Sequence, residues 1–297
     1  MEAAFEHWSA SWPLLIGYVV VAASHLAGLR RSLAAAQAVT PEVGTSQERR
    51  REAMLFQLGL LLVLVSLVSP VGYYSTVYIW IRMMQTLLVA VVAPGLLVVG
   101  APWESFRAVL TRQPSQPPSG TDIVRRTPWL MSRPALAVIA ANVVWLVWEV
   151  PALFDAARAN AGLAWIEHLS YLAAGTLFWL QMISSRPFSQ ATPPLRRLRL
   201  LIGTVGVSTV FGMMLVFGSS VLYPAYANSA HHLMTVLDDQ QLAGAVWWMG
   251  MLPAMSVGAV ALMMQWLRDE ESAELSAGLD RLLTPRRHGW PSRPVIR

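Results

Sequence analysis

Seven apolar stretches alternate with polar gaps along the chain, running approximately from Trp12 to Leu29, Met54 to Val68, Val77 to Val99, Ala135 to Phe154, Ala164 to Ile183, Leu200 to Phe217 and Leu242 to Trp266. Most approach the ~20 residues that a helix rising about 1.5 Å per residue needs to cross about 30 Å of hydrocarbon. The pattern predicts an all-α polytopic membrane protein with seven transmembrane helices. Residues 1–267 form the bundle, with a cytoplasmic linker at about 103–133, and residues 268–297 form a charged cytoplasmic tail. No repeat of solenoid period is present.

The polar gaps are not equivalent. Arg30, Arg31, Arg49, Arg50 and Arg51 follow the first stretch, and Arg107, Arg112, Arg125, Arg126 and Arg133 follow the third. Arg186, Arg196, Arg197 and Arg199 follow the fifth, and six more arginines lie in the tail. Only Arg82 and Arg158 fall elsewhere. Basic residues mark cytoplasmic segments, so the N-terminus is expected outside and the C-terminus inside. The bacterial cytoplasmic (inner) membrane is the expected location. The first stretch follows Glu2 and Glu6 without a basic lead and reads as a retained helix.

Composition narrows the function classes. With 55% hydrophobic and 13% charged residues, the chain has more apolar surface than one soluble core hides. The net charge of +5 is spread over separate arginine segments, which argues for topology and against nucleic acid as a partner. Zero cysteines exclude disulfides, thiolate copper sites and iron–sulfur centres. The basic residues are all arginine, so a retinal Schiff base has no lysine to form on. Membrane lipid is the first expected partner. The segment Gln113 to Gly120, QPSQPPSG, has the makeup of an extended linker.

Ionisable groups inside apolar stretches carry the candidate chemistry, because each costs at least about 2.5 to 3.5 kcal/mol in hydrocarbon. With the topology above, Arg82 lies about a turn below the outer surface, and Gln85 and Thr86 share its helix face. Glu149, the adjacent Glu167 and His168, and Asp238-Asp239-Gln240-Gln241 fall near the same level on three further helices. Neighbours are about 100° apart on a helix, so only one of Glu167 and His168 points into the bundle. Asp238 or Asp239 also suits the start of the seventh helix as a cap. Methionines such as Met213, Met214, Met249, Met251, Met255, Met263 and Met264 read mainly as packing residues, although thioethers suit Cu(I). His231-His232 with Met234, in a gap free of arginine, is a weaker metal candidate.

The stretches Trp145 to Trp179 and Leu222 to Gly250, above all the element DDQQLAG, resemble the CtaG family of membrane assembly factors for haem-copper cytochrome c oxidases. Arg82 to Pro102 is similar to that family's third helix, and the likeness extends from Tyr74 to Trp266. It implies a seven-helix inner-membrane protein that contacts an oxidase subunit, helps mature the enzyme and handles copper, without enzymatic turnover. His168 and Asp239 match the family, with Glu149 beside them, and these three are the candidate metal residues. Histidines are implied where this chain has Arg82, Thr86 and Glu149. An arginine puts positive charge where a metal would sit. Arg82 is therefore expected to pair with Glu149 or Asp239, with Gln85, Gln240 and Gln241 as hydrogen-bonding neighbours, in a bundle that binds copper weakly or not at all.

Other functions fit less well. A copper permease needs polar or thioether groups through the full membrane depth, whereas the cluster is confined to the outer third. Haem held by two histidines needs them at equal depth, and His25 and His168 lie at opposite ends. Gly218-Ser219-Ser220 lacks the surroundings of a serine nucleophile. A metal-free scaffold is a third possibility, from a different class, with Gly203, Gly206, Gly212, Gly244 and Gly250 allowing close helix contacts.

Overall fold

A computed structural model describes residues 12–39, 43–110, 132–183, 185, 192–228 and 234–283. Their regular elements are helices. They are α1 (Trp12–Val39), α2 (Val43–Val68), α3 (Pro70–Tyr74), α4 (Ile79–Leu87), α5 (Ala93–Val99), α6 (Trp103–Leu110), α7 (Pro134–Val147), α8 (Pro151–Ala159), α9 (Ala161–Met182), α10 (Pro194–Phe217) and α11 (Val236–Leu283). A π-turn, Leu88–Val92, joins α4 to α5, and a 3-10 turn occupies Pro224–Asn228. The central part of the linker, His231-His232 and the end of the tail lie outside the described residues.

Among the described residues, five helices are long and apolar enough to cross a membrane, or six if the bent pair α7 and α8 counts as one span. The sequence pattern counted seven. The difference arises at α9, which has the length, 22 residues, but is diluted by Glu167, His168, Ser170 and Gln181. Those polar groups are tolerated because α9 is an inner helix. Glu167, Tyr171, Ala174, Gly175, Phe178 and Trp179 form a buried stripe facing α5, the π-turn and α7. Outer helices show the opposite pattern: Val210 of α10 and Val257 of α11 are 70% and 71% exposed, as expected of side chains meeting lipid. Both termini of the apolar stretches are also extended: α1 runs on past Arg30 and Arg31, and α11 continues past Trp266 into the charged segment.

Two prolines shape the middle of the bundle. Pro94 has no N–H for the Ala90 carbonyl one turn earlier, and the helix accommodates this by widening into the π-turn. Trp179 Nε1 donates to the neighbouring Val91 carbonyl at 2.8 Å. Gly175 lies so close to this turn that an added Cβ would be 2.0 Å from the Ala90 oxygen. Pro151 acts similarly on the fourth stretch, where Val150 before it is extended (φ −63, ψ 126) and the chain bends by 68° between α7 and α8. Glu149 sits in this bend.

At the opposite end Arg197 is 1% exposed. It donates to the Met182 carbonyl, one of the unpaired carbonyls at the end of α9, and to Gln265 Oε1 of α11, both at 3.0 Å. One guanidinium thus ties three helices together. His25 is equally buried, against Phe56, with its Nδ1 3.2 Å from Gln57 Nε2.

Candidate functional site: a buried ionic cluster

The bend after α7, the start of α4 and the first half of α9 bring Arg82, Glu149 and Glu167 into one cluster. Arg82 Nη2 donates to Glu167 Oε1 at 2.7 Å, with both side chains nearly sealed (8% and 3% exposed). The partner expected from the sequence was Glu149 or Asp239. Glu167 takes that place because it is the member of the Glu167-His168 pair that lies on the buried stripe of α9. The guanidinium also lies over the Phe154 ring, 3.9 Å from its centroid, and Tyr223 stacks on Phe154 at 4.1 Å. An arginine is suited to this because its plane satisfies a carboxylate at the edge and an aromatic ring at the face.

Glu149 is 4% exposed. Its Oε1 accepts from the Tyr171 hydroxyl at 3.0 Å, and its backbone carbonyl, freed by the break before Pro151, accepts from the Tyr223 hydroxyl at 3.0 Å. Glu149 Oε2 is buried without a hydrogen-bond partner among the described residues. Tyr226 donates to the Ser75 carbonyl at 2.9 Å. Burial raises the Tyr223 hydroxyl and pushes that of Tyr226 up to about 12, so both remain protonated donors in the loop between α10 and α11.

Asp239 is fully buried a turn away and does different work. Its two oxygens accept from the Ile79 and Trp80 amides, at 2.8 and 3.0 Å. These are first-turn amides of α4, whose N-cap residue Tyr78 supplies no side-chain acceptor. A carboxylate from α11 therefore caps α4. The start of α11 is capped instead by Thr235, whose Oγ1 accepts from the Asp238 amide at 3.1 Å and donates to Asp238 Oδ2 at 2.6 Å.

The expected hydrogen-bonding neighbours also bind backbone. Gln85 Nε2 donates to the Ser66 carbonyl at 2.7 Å, joining α4 to α2. Gln240 clamps the chain after α10, accepting from the Leu222 amide and donating to the Ser220 carbonyl, and Gln241 donates to the Gly218 carbonyl. His168, next to Glu167, turns its Nδ1 to the Ala164 carbonyl of its own helix.

Copper, which the family resemblance implies, meets poor ligands here. Asp239 uses both oxygens on amides, Glu167 is neutralised by Arg82, and Glu149 is shared with Tyr171. Among the described residues no group of three or more His, Asp or Glu side chains is placed to hold a metal ion. His168, Asp239 and Glu149 thus share an end of the bundle without converging on one point. From sequence, Tyr171, Phe154, Tyr223 and Tyr226 have no assigned role in the site. Tyr223 and Tyr226 lie near a span end, where the sequence alone suggests only interfacial anchoring.

Beside the cluster lies a cavity of about 560 Å³, whose polar lining includes Arg82, Gln85, Arg158, Glu167 and His168.

These features define a multi-pass helical membrane protein with a buried ionic cluster at one end of the bundle. The particular family follows from comparison: residues 26–269 match the cytochrome c oxidase caa3 assembly factor family, to which the chain belongs. It is 24% identical over 214 residues to an uncharacterized protein of Mycobacterium leprae, covering 68% of this chain and 32% of that protein. It is 26% identical over 213 residues to uncharacterized proteins of Mycobacterium bovis and Mycobacterium tuberculosis, with the same coverage. The match thus spans about a third of the length of these curated relatives. No solved structure matches the chain.

Proposed function

We propose that the chain serves haem-copper oxidase assembly as a membrane scaffold, holding an oxidase subunit while its metal site is completed and carrying out no turnover itself. The Arg82–Glu167 ion pair carries this reading. The resemblance implies a histidine at position 82, and here a guanidinium already supplies the positive charge that a bound metal would bring. The cluster then acts as a permanent brace at the outer end of the bundle. In this reading the N-terminus is outside, the C-terminus is cytoplasmic and the membrane is the bacterial inner membrane, as the arginine distribution suggests.

Two measurements test it. Cells lacking the chain should accumulate less assembled oxidase, while protein purified under reducing conditions with added Cu(I) should hold far less than one copper per chain. One tightly bound copper, lost on His168→Ala, would replace the scaffold reading with copper delivery. Normal oxidase with full copper content in cells lacking the chain would remove the assembly role altogether.

A further inference from the structure

The first helix leaves a gap on its inner side. Of the five long spans α1 is the least buried, and it packs on α6 and α2. Between α1, α2 and α9 lies a cleft of about 390 Å³, almost wholly apolar and walled by Leu14, Gly17, Val21, Leu64, Trp165 and Leu172. Leu14, Gly17 and Val21 recur at helical spacing along one side of α1, and Trp165 and Leu172 lie two turns apart on α9. The cleft therefore runs with the helix axes for about 10 Å. Acyl chains of a bilayer lie along that same direction. The α1 wall is open toward them: a Cβ added at Gly17 would meet nothing within 4 Å, and Val21 is 36% exposed. Size points to one occupant. A dry apolar cavity of about 150 Å³ holds a six-carbon ring, so a cleft of about 390 Å³ has room for roughly fifteen carbons, the size of one fatty acyl chain. Without an occupant, the atoms lining it would lack packing partners. The neighbouring polar cavity adds no preference for a charged headgroup. Arg82 on its wall is paired with Glu167, and Arg158 is electrostatically coupled to Asp155 of the same helix.

We infer that the cleft between α1, α2 and α9 is a binding site for one acyl chain of a membrane phospholipid, held by burial of the chain and indifferent to the headgroup. The chain completes the seam between α1 and the rest of the bundle, supplying the packing contacts that Gly17, without a side chain, leaves unmade. Affinity then follows chain length, because each buried methylene contributes and the headgroup stays outside the cleft. The inference does not depend on the assembly role, since it rests on the shape, size and lining of the cleft alone.

Native mass spectrometry of the full chain in detergent tests it, with dipalmitoyl phosphatidylcholine, dipalmitoyl phosphatidylglycerol and the short-chain dihexanoyl phosphatidylcholine as probes. Wild type should retain one molecule of either dipalmitoyl lipid equally well and release the dihexanoyl one. Gly17→Phe fills open space on the cleft side of α1 and should lower retention roughly tenfold, the effect of displacing about two methylenes from an apolar cleft. Val21→Trp should act the same way through a different residue. Val20→Phe, at an exposed position of α1 outside the lining, should retain lipid as wild type does. Delipidation should lower the melting temperature of wild type and leave that of Gly17→Phe nearly unchanged, which separates a filled cleft from a misfolded variant. Equal retention of long and short chains, or unchanged retention in both cleft variants, would overturn the inference. Retention of phosphatidylglycerol with loss of phosphatidylcholine would overturn it as well, by placing the contact at a charged headgroup.

Discussion

Asp239 Oδ2 lies 2.8 Å from the Ile79 amide, across 160 residues of sequence, so the last helix supplies the cap of the fourth. A carboxylate at a helix start satisfies unpaired N–H groups and faces the positive end of the helix dipole. Asp239→Ala takes this acceptor from the buried Ile79 amide and the half-buried Trp80 amide and should cost about 2 to 4 kcal/mol, read as a lower unfolding midpoint in detergent. Asp239→Asn keeps one acceptor oxygen and should lose about half as much. Equal stability of wild type and Asp239→Ala would show that α4 does not depend on this cap.

This relationship also marks how far the sequence could be read. Hydropathy located most spans because burial in lipid requires an apolar outer surface, and α9 fell short because Glu167, His168, Ser170 and Gln181 dilute it. Depth arithmetic brought Arg82, Glu149 and Glu167 to one level, since a fixed topology and helix rise determine height. It could not choose Glu167 over Glu149 as the partner of Arg82, because that depends on which way α9 is turned and on the bend at Pro151. Nor could it assign Asp239 to α4. A cap supplied by a remote helix leaves no local motif, and DDQQ at a helix start reads equally well as that helix's own cap.

The ion pair should behave as a strongly coupled unit. Removing one member leaves the other charged and buried, at a cost of about 3 to 5 kcal/mol, so Arg82→Met and Glu167→Gln should each destabilise the bundle severely. Arg82→Met combined with Glu167→Leu leaves neither member of the pair as an orphan charge, and the double variant should be more stable than either single one. A double-mutant cycle on unfolding in detergent measures this. Additive losses would mean that the pair is not energetically coupled.

Arg197 offers a parallel test at the other end of the bundle. Arg197→Met keeps much of the buried stem but frees the Met182 carbonyl and Gln265 Oε1, and should cost about 1 to 3 kcal/mol. Hydrogen exchange should rise first at the joined ends of α9, α10 and α11, with the Arg82 end unchanged. Loss of protection spread evenly over all helices would show that the contact acts globally.

The π-turn makes the sharpest steric prediction. Gly175 has no room for a side chain, because its Cβ would meet the Ala90 carbonyl at 2.0 Å and Pro94 Cγ at 2.7 Å. Gly175→Ala must therefore push α9 off α5, whereas Gly203→Ala, in open space on α10, should be neutral or slightly stabilising through helix propensity. The expected loss at Gly175 is about 1 to 3 kcal/mol. Trp179→Phe is the companion variant, since it withdraws the indole donor from the Val91 carbonyl while keeping an aromatic ring in place. It should cost about 1 to 3 kcal/mol for the unpaired carbonyl. If Gly175→Ala melted with Gly203→Ala, the close approach of α9 to the widened turn would not exist in the folded protein.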